Sequence, residues 1–425
     1  MSDSRGLTGQ RTGVNRLWPL PFVVVGLFAA GGASAQSETP SPLPNASTES
    51  VPLSPGVEPS EPPAPAPALA SSPKRLFYFD QDYGSESQFG PLSAFVSVGF
   101  CVAGKPVGFG VYSPFDVNYL DSARELGRAY TDLKQIPRGY GSYGQWALQE
   151  FVPGFGSAIL PNIAFHFLGE GMLTRKLQEY NLAQGMSFGR ARFLAIATVV
   201  AAQQMNELIE AKTVPIGDGL ADTLINNTLG ILAFQFDGFA RLFANDNVRL
   251  YYWPGQPLLD VRDGAIYNNS ESYLLRTTLG SWTRMRLTLL MGAPSSGLGL
   301  SYPVRGPDTV GVMMLTQMPL VPEYPYVKGP QRERFSYVPA KSTDPYITPV
   351  SPGKAAIRLT WDRDGSQMAT LEFGFPPRPN VVANVYPGFV RTGPLQLGGY
   401  LYVDDSIRAF GLTLSSLSVM PGLRF

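Results

Sequence analysis

The chain has 425 residues, of which 44% are hydrophobic and 16% charged, and its 33 basic and 33 acidic side chains leave a formal charge of zero. That length can bury a large core or divide into two domains, and the neutral balance argues against nucleic acid as a partner. The single cysteine, Cys101, excludes an intrachain disulfide and a cysteine-based zinc site; the single histidine, His166, leaves mostly oxygen donors, so neither a metal nor another cofactor is expected.

In chain order, residues 1–35 read as a secretory signal peptide. Arg5, Arg11 and Arg16 form a basic start, an apolar run from Leu17 to Ala30 follows, and Ala33-Ser34-Ala35 supplies an A-x-A cleavage site. Residues 36–73 are rich in Pro, Ala and Ser and almost lack large apolar side chains. Such a stretch cannot offset its ordering entropy by burial, so it is expected to be a disordered, extended tether. It would reach peptidoglycan or an envelope protein, or act as a plain linker. The remaining chain divides into residues 74–247, expected to hold N-terminal strands and a helical core, and residues 248–425, an antiparallel β region.

Within the first part, residues 74–110 alternate aromatic with small and polar residues and read as one or two strands. Cys101 falls there as a small buried hydrophobe. The stretch NYLDSARELGRAYTDLKQI predicts an amphipathic helix with Leu120, Ala123, Leu126 and Leu133 on its apolar side. RGYGSYGQWALQEFVPGFG reads as a Gly/aromatic loop at a surface or membrane interface.

Residues 161–236 carry the candidate chemistry on three predicted helices, about 161–180, 188–211 and 216–236. His166 and Glu170 share a face at i, i+4, as do Gln203 and Glu207. Asp218, Asp222, Asn226 and Gly230 form an i, i+4 ladder among apolar residues, ending in a glycine that would let another backbone approach. Asp218 would alternatively cap its helix. If these clusters converge, His166 is the general acid or base, Glu170 or Glu207 orients it, and Asp222 joins them. Asn226, Gln203 and Asp218 would then hold substrate. The same residues would equally serve as a satisfied network that keeps the helices in register. No phosphate-binding glycine loop and no G-x-S-x-G elbow is present.

The residues Asn162, His166, Gly185, Glu207, Glu210, Asp222 and Gly230 resemble the pattern of a family of uncharacterised bacterial envelope proteins, with His, then Glu, then Asp-x3-Asn-x3-Gly. The pair NELIEA and ADTLINNTLG is also similar to the VanZ-like membrane proteins. The first resemblance implies an envelope location and no assigned reaction.

From Val248 onward the pattern turns to period two. Met285, Leu287, Leu289 and Met291 alternate with Arg284, Arg286, Thr288 and Leu290. Further strands are predicted in VRLYYW, SYLLRTTL, TVGVMMLTQ, AIRLTWD, ATLEFGF, VVANVY, LQLGGYLYV and IRAFGLTLSSL, with DRDG and VDDS as turns. Residues 318–354 read as one long loop. The last residues alternate back from Phe425 through Leu423, Pro421 and Val419, which resembles the closing strand of outer-membrane β-barrels. The expected fold class is α+β: a buried helical core, then an antiparallel β region forming an outer-membrane barrel of about eight to twelve strands. A periplasmic sheet packed on the helices is the alternative. The helices would fill the barrel mouth or lumen. The expected partner is outer-membrane lipid, and the expected activity is an enzyme on envelope lipid or glycan, or a non-enzymatic plugged barrel or assembly protein.

Overall fold

A computed structural model describes residues 75–102, 104–105, 114, 117–137, 141–151, 162–211, 217–260, 265–269, 271–280, 282–292, 295–316, 355–375, 379–392, 395–403, 407–415, 420–421 and 423–424. The expected signal peptide, the tether, the 318–354 loop and the VDDS turn lie outside the described residues.

Residues 75–89 run in an irregular path that includes a short 3-10 turn, Gly84–Gln88. Helix α1 is Pro91–Gly99. A strand was expected there, because AFVSVG alternates. Pro91 at the first helical turn and the Ser93 hydroxyl, bonded to both backbone groups of Gly90, start a helix instead. Its Gly99 packs closely on Ala202: a Cβ there would lie 3.1 Å from the Ala202 carbonyl oxygen. Strand β1 is Gly104–Lys105, and α2 is Tyr119–Thr131. α2 is the predicted amphipathic helix turned to a different face. Ser122 and Ala129 are buried, while Leu120 and Leu133 are exposed. Where a loop was expected, Ser142 caps α3, Tyr143–Phe151, by accepting the Gln145 N–H at 3.0 Å.

Helix α4 begins as a π-helical segment, Asn162–Gly169, and continues as an α-helix, Glu170–Ala183. Helix α5 is Phe188–Glu210. Helix α6 has three parts: Asp218–Leu220, a π segment at Ala221–Asn227, and Thr228–Gln235. Helix α7 is Asp237–Leu242. On α5 the buried Ala191, Ala195, Val199 and Ala202 form a narrow stripe at helical spacing. Small side chains there let α1 and α4 come close. Among the described residues no helix is long and apolar enough to cross a membrane.

The strands follow. They are β2 Val248–Tyr252, β3 Leu258–Asp260, β4 Ala265–Tyr267, β5 Ser272–Thr278, β6 Arg286–Gly292, β7 Ser296–Pro303 and β8 Asp308–Thr316. After residues 317–354 come β9 Ala355–Arg363, β10 Ser366–Gly374, β11 Asn380–Thr392, β12 Leu395–Val403, β13 Ile407–Leu414, β14 Met420–Pro421 and β15 Leu423–Arg424. Eleven strands form one sheet in the order β15-β13-β12-β11-β10-β9-β8-β7-β6-β5-β2. All its pairings are antiparallel. The DRDG turn has the left-handed backbone that a tight hairpin requires, at Asp364 (φ 49°) and Gly365 (φ 82°). The predicted strands are therefore present, and the fold is α+β with a large antiparallel sheet. Among the described residues the edge strands β2 and β15 do not pair, so the sheet is not closed into a barrel.

The sheet is nonetheless strongly curled. Arg276 on β5 forms two bonds to Asp362 on β9, at 2.8 and 3.2 Å. Four strand spacings separate those strands, roughly 19 Å on a flat sheet. Only a curled sheet can close that gap with two side chains. The face carrying this pair is therefore concave. It also holds the Arg358–Glu372 pair, with Nη2 at 2.6 Å, and the Asn384 amide on Thr370 at 3.2 Å.

The hairpin of β3 and β4 packs onto this concave side, with Leu258 against Gly411. Gln256 just before it donates to the Val385 and Gly399 carbonyls at 3.2 and 3.3 Å. Together with β1 and β14, these strands make a second, four-stranded sheet.

The two faces of the large sheet differ sharply. One row of registered residues runs Leu300, Val312, Leu359, Leu371, Ala383, Leu401, Phe410 across seven strands. Every residue in it is apolar, and it lies on the convex side. The next row runs Ser301, Gly311, Thr360, Thr370, Asn384, Tyr400, Gly411. It lies on the concave side and is mostly polar and buried. The exposed convex side is thus apolar, whereas the concave side buries these polar rows together with two apolar clusters, Tyr251, Leu274, Leu290, Met313, Leu315 and Ala356 at one end and Leu258, Tyr267, Val382 and Ala409 at the other.

The helices had been expected in the barrel mouth or lumen; Ser93 and Ser97 of α1 do line a small cavity with Pro254 and Tyr386, but the main helices lie elsewhere. They cover the convex face of β2, β5 and β6, where Leu250, Tyr252, Tyr273 and Met291 join the helical core. A ring-sized side chain explains the placement: Tyr273 stands against Gly169, where a Cβ would collide with its ring. Lys74–Phe425 is one unit by its contacts.

Candidate functional site

α4 and α6 cross at two glycines. A Cβ on Gly171 would lie 2.6 Å from the Gly230 carbonyl oxygen, and one on Gly230 would overlap the Phe167 carbonyl. This is the close backbone approach that Gly230 predicts. It sets the π segments of the two helices side by side.

At the crossing, His166 Nδ1 lies 2.7 Å from Glu170 Oε1, as the i, i+4 spacing predicts. His166 Nε2 faces Asp222 Oδ2 at 3.5 Å. Glu170 Oε2 accepts from the Asn227 amide at 2.7 Å. Glu170 is completely buried, whereas the His166 side chain retains 11% of its exposure. Two buried oxygens here, Asp222 Oδ1 and Asn227 Oδ1, have no hydrogen-bond partner among the described residues.

The other expected residues fall around this centre. Gln203 donates to Glu207 Oε1 at 2.6 Å, so it orients Glu207 and does not point at a ligand. The other Glu207 oxygen lies against Gly219, where a Cβ would collide with the carboxyl. Asn226 turns back to its own helix and donates to the Ala221 carbonyl at 3.2 Å. Its neighbour Asn227 takes the place at the site that the i, i+4 ladder assigned to Asn226. A π segment advances more residues per turn than an α-helix, and that shifts the polar stripe by one position. The Thr228 hydroxyl, bonded to the Thr223 carbonyl five residues back, marks the same wider turn. Asp218 opens the first helical turn of α6, and the N-cap position belongs to Gly217.

Sequence reasoning missed Glu150 and Glu271, and it named Glu210 only within the resemblance and gave it no role. Glu271 accepts from the Tyr273 hydroxyl and acts electrostatically on His166 and Glu170. It arrives from the β region, far away in sequence. The carboxyls of Glu207, Glu210, Asp218 and Asp222 act on one another across α5 and α6, so the three predicted clusters form one electrostatic unit.

Burial raises Glu170 well above the usual carboxylate range. Burial, then repulsion from neighbouring acids, raises Glu207, Asp218 and Asp222 in the same way. Glu210 is pushed up to about 7, chiefly by burial. His166 is lowered by burial, against the pull of Glu271, Glu210 and Glu150. Among the described residues no Lys or Arg forms an ion pair with Glu170, Glu207 or Asp222. Burial therefore favours the protonated form of these acids and the neutral form of the imidazole they face. That arrangement can donate and accept a proton through His166. Among the described residues no three His, Cys, Asp or Glu side chains are placed to hold a metal ion.

No family model, no curated protein and no solved structure matches the chain.

Proposed function

We propose that the chain is an outer-membrane protein whose curled sheet forms a lipid-facing barrel wall. Its helices would carry a general acid–base site that acts on an envelope lipid or glycan. The observation that carries the membrane reading is the exposed apolar convex face of the sheet. A sheet in water places polar residues outward, whereas here the exposed convex rows are apolar, as on the lipid face of transmembrane barrels, and the concave side buries polar pairs beside apolar clusters. Met314 at 73% and Leu412 at 66% exposure are costly in water and normal against lipid. The signal-like start of the sequence and the terminal alternation point the same way.

The enzymatic part rests on His166 between Glu170 and Asp222, with an unpartnered Asp222 oxygen beside it. Metal or cofactor chemistry has no part in this reading. A specific observation favours a second reading, a structural network: both Glu170 oxygens are bonded and the side chain is fully buried.

Two measurements test the proposal. Cells expressing the chain are fractionated, and its gel mobility is compared with and without boiling. The expected result is an outer-membrane band with a boiling-dependent shift; a soluble periplasmic protein with no shift overturns the membrane reading. Separately, His166→Gln is compared with wild type in a deletion strain, with lipid and glycan profiles measured by mass spectrometry. The expected result is a folded variant that leaves a substrate unprocessed. A variant that unfolds, or one with an unchanged profile, selects the structural reading.

A further inference from the structure

The helical part has an apolar face of its own. Between Gly219 and Phe236 the one charged residue is Asp222, and it points inward. The exposed positions of this stretch are Leu224, Thr228, Leu229, Leu232 and Phe236. Leu224 is 54% and Phe236 70% exposed. Ile163, 42% exposed, lies on the π segment of α4 that packs against α6. In water this would be an unfavourable contiguous patch.

The position of the patch says what covers it. The π segment of α4 packs on β5 and β6 through Gly169 and Tyr273. On β6, Leu289 is registered with Leu298 of β7, where the exposed convex face of the sheet begins. The π segment of α4 thus touches β5 and β6 on one side and α6 on the other, which sets α6 next to the part of the sheet where the exposed apolar face begins. No helix is long and apolar enough to cross a membrane among the described residues, so α6 would lie along the lipid rather than through it. The acid–base site lies on the inner side of the same two helices: Asp222 is buried on α6 opposite the exposed Leu224, and the His166 side chain on α4 keeps 11% exposure.

We propose that the Ile163–Leu224–Leu229–Leu232–Phe236 face is a lipid-contact surface, so that the His166 site takes its substrate from the membrane. The substrate class is then a membrane lipid and not a glycan. This rests on the membrane reading of the sheet and goes beyond it, because a barrel wall in lipid does not require its helices to touch lipid.

Cysteines are introduced singly at Leu224, Leu232, Met314 and Lys134 in the mature full-length chain and labelled with bimane. Cys101 stays in place because it is buried. Lys134, exposed on the short 3-10 turn that follows α2, is the control. Each labelled protein is folded into phosphatidylethanolamine/phosphatidylglycerol vesicles, with or without brominated acyl chains, and quenching is read. The expected result is at least twofold quenching at Leu224, Leu232 and Met314, and none at Lys134. Quenching at Met314 alone overturns the lipid-contact surface and leaves the sheet in the membrane. Quenching at none of the four overturns the membrane reading beneath it. Protection of Leu224 and Leu232 by a dimer or a bound protein, seen by light scattering with quenching lost at both, assigns the face to that partner and likewise overturns the proposal.

Discussion

Glu170 is enclosed on every side, and its two oxygens are held by His166 and Asn227. Replacing Asn227 by Leu removes the donor without adding one. The stranded carboxyl oxygen should lower stability by about 1–3 kcal/mol, read as a fall in the unfolding midpoint. The acids also set a pH dependence whose sign can be worked out. Burial raises Glu170, Glu207, Asp218, Asp222 and Glu210, so the folded protein keeps protons that the unfolded chain would release. Each raised carboxyl contributes stability that is full below its unfolded pKa and is lost as pH rises through its folded value. For Glu210 that window runs from 4.5 to about 7. His166 acts the other way: its lowered pKa gives stability that is present above 6.5 and is lost as pH falls through the folded value. Five acids outweigh one imidazole. The melting temperature in detergent should therefore be lower at pH 8 than at pH 5. Glu210→Gln should flatten the slope between pH 4.5 and 7; an unchanged slope would mean that Glu210 is not protonated in the fold.

At the scale of elements, the helix crossing is the feature most exposed to a single change. Gly230→Ala places a methyl into the Phe167 carbonyl, which is backbone and cannot rotate away. A loss of about 3 kcal/mol or more is expected, with His166 pushed off Asp222, measurable as a stability loss together with loss of activity. The segment before α1 is a second test. Glu179 Oε2 accepts from the backbone N–H groups of Leu76, Phe77 and Tyr78 at 2.9, 2.8 and 3.0 Å. The buried Lys176–Glu86 pair pins the same segment to α4. Glu179→Ala should cost about 3 kcal/mol and open this segment to protease first. Uniform protection after the substitution would show that Lys176 holds it alone. These elements also show where sequence reading succeeds. Period two is unambiguous in β5 to β13, because the alternation of Leu298, Leu300 and Tyr302 with glycine and serine has no helical counterpart. Residues His166 and Glu170 were legible because i, i+4 survives where the π segment joins the α-helix. Asn227 was not, because the wider turn in α6 breaks the period on which the ladder depends. Helix α1 was hidden because its buried face is made of Ser93, Ala94, Ser97 and Val98, which carry little hydrophobic contrast. Glu271 was hidden because only the tertiary fold brings β5 to α4.

For the whole molecule, the decisive contrast is which face of the sheet meets which solvent. In water, Val312 is a surface position, and replacing it by arginine should change stability by no more than about 0.5 kcal/mol, or improve it. In lipid the same arginine sits within the seven-strand apolar row, between Leu300 and Leu359. Near the midplane it should cost about 2–4 kcal/mol. Thr360, one row away on the concave side, serves as the partner experiment. It is buried beside a polar interior that already accommodates Arg276, Asp362, Arg358 and Glu372. Thr360→Val removes a hydroxyl at nearly constant volume, so it should be tolerated in lipid and in detergent alike. The prediction is therefore a difference between two substitutions on neighbouring rows: Val312→Arg destabilises strongly in vesicles, and Thr360→Val does not. Refolding yield and the urea midpoint in vesicles measure both. If Val312→Arg is neutral there, the convex face does not lie in lipid. The apolar rows would then have to be buried by another protein surface, and the lipid assignment of both the sheet and the α6 face would fall together.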